Sequence, residues 1–123
     1  MKWIAGAFLL AVLMINPVLA GDLTVEDFDV NTTKALVDLC SAPVDDPLYP
    51  KAIHFCHGYL VGAYHYYAVS SINSFVCPPE ERPSRNTIVE QFVQWAVDHP
   101  EYWEEVPVET EFRFLSELWP CPE

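Results

Sequence analysis

Hydrophobic residues recur at helical spacing in four segments of the chain, and proline-containing connections separate these segments. The longest segment, residues 52–72, contains no proline and no formally charged side chain. Because it is apolar around nearly its whole circumference, we predict a long helix that its neighbours cover on several sides. Gly58 and Gly62 stand four residues apart on one stripe, where the missing Cβ atoms would let another backbone approach closely. We therefore predict that both glycines serve helix packing.

Three shorter helices are predicted around the long one. The first occupies residues 31–40, the third follows Ser84 as N-cap and reaches residue 98, and the fourth begins at Pro107. Serine is a favoured N-cap and proline suits the first helical position. No alternating pattern is long enough for a competing strand, so the predicted class is all-α, a compact four-helix domain. The residues expected to face the core in the third and fourth helices are Ile88, Phe92, Trp95, Ala96, Val108, Phe112, Leu115 and Trp119.

Residues 1–20 have the order of a secretory signal peptide, with a basic start, an apolar run over residues 4–15 and small residues before the expected cleavage after Ala20. A retained membrane anchor is the alternative, but the run is shorter than the roughly 20 residues that a spanning helix needs. Residues 21–30 carry four acidic side chains and few large apolar ones, which predicts a flexible acidic leader. The helical domain is therefore expected to occupy residues 31–123.

The charge of the chain limits its partners. After cleavage it would keep five of its six basic side chains and all 18 acidic ones, a formal net charge of −13. Such a chain repels nucleic acids and anionic membranes. The same field would attract a basic partner protein, or it would simply keep a secreted domain soluble, and the sequence leaves both readings open.

Four cysteines lie in the part that remains after cleavage, and an even number in an exported chain predicts two disulfides. A helix extending from Cys56 to Ile72 would separate Cys56 from the loop beyond it by roughly 24 Å. A disulfide tolerates a Cα separation of only about 7 Å, which argues against pairing Cys56 with Cys77. Antiparallel packing of the first two helices would bring Cys40 beside Cys56, and the fourth helix would return Cys121 toward Cys77 at the start of the third. We therefore predict the pairs Cys40–Cys56 and Cys77–Cys121. The alternative is Cys40–Cys77 together with Cys56–Cys121.

Histidine and cysteine cluster in the long segment, which raises the question of a metal site or a Cys–His nucleophile. His54, Cys56 and His57 form an H-x-C-H pattern, and His65 follows two helical turns later. Zinc sites usually combine spaced pairs of ligands, and the sequence has no second pair. A disulfide-bonded cysteine is also unable to act as a thiolate ligand or nucleophile. We predict no metal, no cofactor and no catalytic residue.

The best candidates for partner contacts lie in two polar connections. Residues 101–106, which we name the acidic turn, place carboxylates beside a helix start, where the helix dipole favours negative charge. Aromatic side chains in this turn would either anchor a partner protein or cover the core. A proline-rich loop, residues 78–83, adds further acidic positions. The residues predicted to contact a partner are Tyr102, Trp103, Glu104, Glu105, Glu80 and Glu81.

A set of short motifs gives the chain a family resemblance. In order, these motifs are Cys40, FCHGYLVGAY at residues 55–64, FVCPPEERPS at 75–84, HPE at 99–101 and WPC at 119–121. In this combination and spacing the chain resembles the Rap/Tai immunity proteins over nearly its whole cleaved length. Two positions depart from the family pattern, because Ala63 stands where an aspartate is common and Thr87 where a glutamine is common.

The resemblance implies a small periplasmic helical protein that binds and inhibits a peptidoglycan amidase delivered by type VI secretion. It implies no enzymatic activity, and a homodimer is a further option. The alternative from another class is a periplasmic acid-stress or chaperone-like protein without a cognate effector. Protonation of many carboxylates would then open the helical domain and expose apolar surface.

Overall fold

A computed structural model describes residues 22–123 and shows four α-helices connected by loops. The helices are α1 (Thr33–Cys40), α2 (Tyr49–Ser70), α3 (Arg85–Asp98) and α4 (Pro107–Leu118), with short 3₁₀ turns at Val25–Phe28 and Pro100–Tyr102. Within the described residues the β-structure is an isolated bridge between Val76 and Pro120. The predicted all-α class with four helices is confirmed. The predicted signal peptide, residues 1–20, lies outside the described residues.

Helix starts follow the capping chemistry of the sequence. The Thr32 side chain accepts a hydrogen bond from the backbone N–H of Ala35 at 3.2 Å, and the Ser84 side chain accepts one from Thr87 at 3.2 Å. Each of these bonds satisfies a backbone donor that has no partner inside its helix. The prolines near the starts of α2 and α4 lie in the first turn, where a missing N–H removes no helical bond.

The segment predicted to be a flexible leader packs against the domain. Its Leu23 and Phe28 contact a buried cluster between α1 and α2, and the Phe28 ring meets Phe55 edge-on with ring centroids 5.7 Å apart. The backbone N–H of Leu23 also donates to the buried carboxylate of Asp46 at 2.8 Å. The structure thus differs from the expectation of little fixed order, because the few apolar residues of this acidic segment cover the α1–α2 contact.

Helix α2 is buried along one stripe only, in contrast to the predicted cover on several sides. Its buried residues are Ala52, Cys56, Leu60 and Tyr67. Both Gly58 and Gly62 are exposed, and a Cβ atom built at either position meets nothing within 4 Å. The predicted close backbone approach is therefore not made within residues 22–123. The physical reason is that α1 packs against α3 and α4 as well as α2, so the helices cluster on one side of α2.

Helix α4 turns a different face to the core from the one predicted. Of the four predicted core residues only Leu115 is buried, whereas Val108, Phe112 and Trp119 are half-buried. The buried face consists of Pro107, Thr110, Glu111, Phe114 and Leu115. A buried hydrogen bond of 2.6 Å joins the hydroxyls of Thr33 and Thr110 and fixes the rotation of α4 against α1. This rotation also brings the carboxyl group of Glu111 inside the protein.

Both predicted disulfides are confirmed. Cys40 and Cys56 join the end of α1 to the first half of α2, with Cα atoms 5.2 Å apart. Cys77 and Cys121 join the loop after α2 to the C-terminal segment, with Cα atoms 4.9 Å apart. Beside the second disulfide, the backbone N–H of Cys77 donates to the carbonyl of Trp119 at 2.8 Å. The alternative pairing is therefore wrong.

Candidate functional site

The backbone of the acidic turn is held on two sides. The N–H groups of Thr33 and Lys34 in α1 donate to the carbonyls of Glu105 and Trp103, at 2.8 and 3.0 Å. The indole N–H of Trp103 donates to the carbonyl of Ala96 in α3 at 2.8 Å. Because the first N–H groups of a helix have no intrahelical partner, α1 uses its own start to fix the turn. The turn is thus a preorganised part of the surface.

The aromatic residues of the acidic turn pack into the domain. The Tyr102 ring lies parallel to Trp95 with centroids 5.7 Å apart, and the guanidinium of Arg113 lies 4.8 Å from the Tyr102 centroid. Trp103 is half-buried as well, with the Lys34 ammonium 5.8 Å from its ring. Stacking and cation–π contacts of this kind stabilise a fold rather than leave a ring free. The structure therefore places Tyr102 and Trp103 mainly as cover.

The two predicted glutamates of the turn have different surroundings. Glu105 is half-buried and makes a two-pronged ion pair with Arg113, with N–O distances of 2.9 and 3.0 Å. The hydrogen bond and the negative charge of Glu105 raise the pKa of Arg113. Glu104 is exposed, as is Glu101 at the beginning of the turn. The fixed turn thus presents Glu101 and Glu104 to solvent while Glu105 holds it in shape.

Glu80 and Glu81 do not join the acidic turn in one site. Both are exposed in the loop that precedes α3, whereas the acidic turn follows the end of α3. The 14 residues of α3 span about 20 Å. The residues predicted to contact a partner therefore form two separate surfaces at opposite ends of this helix.

A cavity of about 250 Å³ lies between α2, α3 and α4, and sequence reasoning missed it. Glu111 lines this cavity, is only 3% exposed, and has a carboxylate oxygen without a hydrogen-bond partner. Burial raises the pKa of Glu111 to about 9. The sequence contains a signal for the burial of Glu111, because Pro107, Glu111 and Leu115 lie on one stripe of the helix at four-residue spacing. The remaining residues that line the cavity are His57, Leu60, Val61, Tyr64, His65, Arg82, Pro83, Arg85, Ile88, Val89, Leu115 and Trp119.

Sequence reasoning also missed exposed apolar side chains at the end of α2. Tyr66 and Val69 are 74% and 84% exposed, and Ile72 and Phe75 just beyond the helix are 97% and 51% exposed. Large apolar side chains grouped at a surface are typical of protein contact sites. We name these four residues the α2 apolar end.

The histidines of α2 do not converge on the cysteine beside them. His54 and His65 are exposed, His57 is half-buried, and Cys56 is disulfide-bonded. Among residues 22–123 no group of three histidine, cysteine, aspartate or glutamate side chains has a metal-binding arrangement. Over the same range, no helix has both the length and the apolar composition needed to cross a membrane.

These features define a disulfide-linked helical domain with a preorganised acidic surface, a class suited to binding another protein. A family model described as Rap1a immunity proteins matches residues 32–121, and the chain belongs to this family. The resemblance inferred from the motifs is thereby confirmed. Membership indicates an immunity protein directed against a type VI effector and implies a non-enzymatic role. No curated protein and no solved structure matches the chain.

Proposed function

We propose that this protein resides in the periplasm and protects the cell by binding and inhibiting a peptidoglycan amidase delivered by type VI secretion. The observation that carries this proposal is the family match over residues 32–121. The two disulfides support an oxidising compartment, and the sequence of residues 1–20 supports export. The choice of an amidase as target rests on the Rap/Tai resemblance.

The acidic turn supplies a contact surface that fits this function. Two of its backbone carbonyls and one of its side chains are fixed by α1 and α3, so binding would order little additional chain. Its exposed glutamates, Glu101 and Glu104, would face basic groups of the amidase. The excess of acidic residues in the whole domain would add long-range attraction to such a partner.

The proposal is tested by capture. Tagged protein comprising residues 21–123 would be incubated with extracts of bacteria that carry type VI secretion, and bound proteins would be identified and assayed on peptidoglycan. We expect a single amidase to be retained through a high-salt wash that removes weak ionic binders. Retention of unrelated proteins only, with no amidase among them, would contradict the proposal.

Charge reversal in the acidic turn is expected to slow association with the captured amidase. Replacing Glu101 and Glu104 with lysine should lower the association rate constant about tenfold at low salt, because peripheral charges steer the encounter. Stability should change by less than about 0.5 kcal/mol, since both side chains are exposed. Stopped-flow binding would measure the rate, with Asp45→Lys as the control for an exposed acidic residue elsewhere. Equal rates for all three proteins would remove the turn from the interface.

A homodimer through the exposed stripe of α2 is the second part of the proposal. Gly58 and Gly62 leave open space on this face, and exposed Tyr66 and Val69 of the α2 apolar end continue the same stripe at helical spacing. A second copy of the chain would cover both features at once. Close helix approach at the glycines is the packing that the sequence predicted and that residues 22–123 do not provide by themselves.

Two substitutions at Gly62 distinguish an effect on the stability of the monomer from an effect on dimer formation. Gly62→Ala should stabilise the helix by about 0.5–1 kcal/mol, because alanine has the higher helix propensity and its Cβ meets nothing within 4 Å. Gly62→Leu should block close approach of a second copy and shift sedimentation equilibrium toward the monomer. Ala68→Leu is the control, since Ala68 is exposed on another side of the same helix. A dimer that tolerates leucine at position 62 as well as at 68 would contradict this interface.

A further inference from the structure

The cavity between α2, α3 and α4 contains a polar group that the rest of the protein leaves without a partner. Glu111 is 3% exposed, and its Oε2 atom makes no hydrogen bond. A buried polar atom without a partner is uncommon in folded proteins, because it loses its contacts with water and gains none in return. The carboxyl group of Glu111, which lines the cavity, therefore has an unused hydrogen-bonding position.

Two arginines also line the same cavity. Arg82 and Arg85, in the loop and first turn that lead into α3, line it together with His57 and His65. The Arg82 guanidinium lies 5.7 Å from the centroid of the Tyr64 ring, which also lines the cavity, and this contact orients it. Acidic residues outnumber basic ones threefold in the whole chain, yet two of its six basic side chains line this one cavity.

Most of the other residues that line the cavity are apolar. They include Leu60 and Val61 of α2, Ile88 and Val89 of α3, and Leu115 of α4. A simple cation would be repelled by the arginines, and a simple anion would leave Glu111 without a partner. A molecule with a positive group at one end, a negative group at the other and an apolar body would pair with Glu111, with the arginines and with the apolar lining.

We propose that this cavity binds a small zwitterion, with its ammonium group on Glu111 and its carboxylate on Arg82 and Arg85. The volume of about 250 Å³ lies just below the range of about 300–1,000 Å³ that holds drug-sized ligands, so a short peptide with free ends is a suitable size. Ionised partners form stronger hydrogen bonds than neutral ones, which favours an ammonium group over a hydroxyl at Glu111.

In the unoccupied cavity, burial keeps Glu111 protonated at neutral pH, since its pKa is raised to about 9. Binding of an ammonium group would replace that proton, and the carboxyl proton would leave to solvent. The other titratable or charged groups that line the cavity are His57, Tyr64, His65, Arg82 and Arg85.

The arginine part of this site is separate from the proposed contacts with an amidase. The arginines lie at the beginning of α3, whereas the acidic turn lies beyond its end, about 20 Å away. Glu111 lies closer to the turn, because the hydroxyl of the preceding Thr110 donates to Glu105 at 3.3 Å. Loss of zwitterion binding in an Arg85 variant and loss of amidase binding are therefore separate results.

Titration with the dipeptide leucyl-leucine tests the proposal. Binding to the protein comprising residues 21–123 would be followed by isothermal calorimetry and by NMR, and we expect saturation in the micromolar to millimolar range with shifts at residues lining the cavity. N-acetyl-leucyl-leucine lacks the ammonium group and leucyl-leucinamide lacks the carboxylate. Each should bind about tenfold or more weakly, because each leaves one charged group of the protein unpaired. Absence of saturable binding, or equal affinity for all three peptides, would overturn the proposal.

Variants test which residue contacts the ammonium group of the ligand and which contacts its carboxylate. Glu111→Gln should weaken binding of leucyl-leucine about tenfold or more but leave N-acetyl-leucyl-leucine unaffected. Arg85→Ala should weaken leucyl-leucine and leave leucyl-leucinamide unaffected. Arg113→Ala is the matched control, since Arg113 is an exposed arginine of α4 that pairs with Glu105 away from the cavity. Circular dichroism would establish that each variant is folded. The same loss in all three variants, or for both peptides of a pair, would overturn the assignment.

Discussion

Replacing Glu111 with glutamine is expected to stabilise the protein at neutral pH and to flatten the dependence of its stability on pH. The pKa of Glu111 is raised from 4.5 to about 9 by burial in the folded state. Between these two values the folded chain holds a proton that the unfolded chain has released. The contribution of Glu111 to the free energy of unfolding is therefore fully present below the unfolded pKa, and it is lost as the pH rises toward the folded pKa.

The slope of the free energy of unfolding against pH sets the size of this effect. One unit of pKa shift corresponds to about 1.4 kcal/mol, so Glu111 lowers the free energy of unfolding by at most about 1.4 kcal/mol for each pH unit between about 4.5 and 9. Glutamine occupies nearly the same volume and does not titrate. The difference between wild type and Glu111→Gln should thus grow with pH and reach several kcal/mol near pH 8.

Urea unfolding at a series of pH values would measure the effect, with Glu90→Gln as the control because Glu90 is exposed on α3. Parallel pH profiles for wild type and Glu111→Gln would contradict the assignment of a buried neutral carboxyl group.

The same experiment addresses the acid-opening alternative. That reading requires the domain to lose stability on acidification, as carboxylates of ion pairs become protonated. Among residues 22–123 the ion pairs are Lys34–Asp38 and Glu105–Arg113, and both are substantially exposed. Exposed pairs contribute about 0–1 kcal/mol each, so their loss is small. Together with Glu111 this predicts a domain that is more stable at pH 5 than at pH 8.

Removing the Cys77–Cys121 disulfide by paired alanine substitutions is expected to lower stability by about 4 kcal/mol, and removing Cys40–Cys56 by about 3 kcal/mol. These values follow from the entropy of closing loops with sequence separations of 44 and 16 residues. Cys56 is fully buried, so its replacement also removes packing in the core. For a domain of this size, each loss should lower the melting temperature by well over about 10 °C.

Hydrogen exchange would show which part of the fold each disulfide holds. Loss of Cys77–Cys121 should expose the amide of residue 77, which bonds to Trp119, while protection in α1 persists. Loss of Cys40–Cys56 should instead lower protection in α1 and the first half of α2. A double alanine variant that loses less than about 1 kcal/mol, or an exchange pattern that is the same for both, would contradict these roles.

The helices and disulfides were predictable because local signals determine them. The Ser84 cap, the prolines at positions 78–83 and Pro107 mark boundaries that depend on neighbouring residues alone. The length of α2 excluded a bond between Cys56 and Cys77, and antiparallel packing of neighbouring helices then favoured the two pairs that the structure shows.

The predictions that were wrong concern how the helices are rotated and which of their faces are covered. Periodicity favoured Val108 and Phe112 for the core, but the buried hydrogen bond from Thr33 to Thr110 turns α4 so that Glu111 points inside. The uncovered face of α2 was missed for a related reason. An apolar helix surface indicates that contact is favourable, but it does not say whether the same chain or another supplies it.

The acidic turn was located from the sequence, but its internal contacts were not. The composition of residues 101–106 left open whether the aromatic side chains anchor a partner or cover the core. In the structure, Trp103 bonds to Ala96 and Tyr102 stacks on Trp95, which are contacts between segments brought together only by the fold. The side chains of the turn that remain exposed for a partner are Glu101, Glu104 and Val106.

The central claim, that this protein is an inhibitor of an amidase effector, is tested most directly by titrating the captured amidase with the protein and measuring peptidoglycan hydrolysis. Full-length amidase at fixed concentration would receive increasing amounts of the protein comprising residues 21–123. We predict that hydrolysis falls linearly and ends at a molar ratio of one protomer to one amidase. An amidase that binds the protein but remains fully active at saturation would contradict the claim.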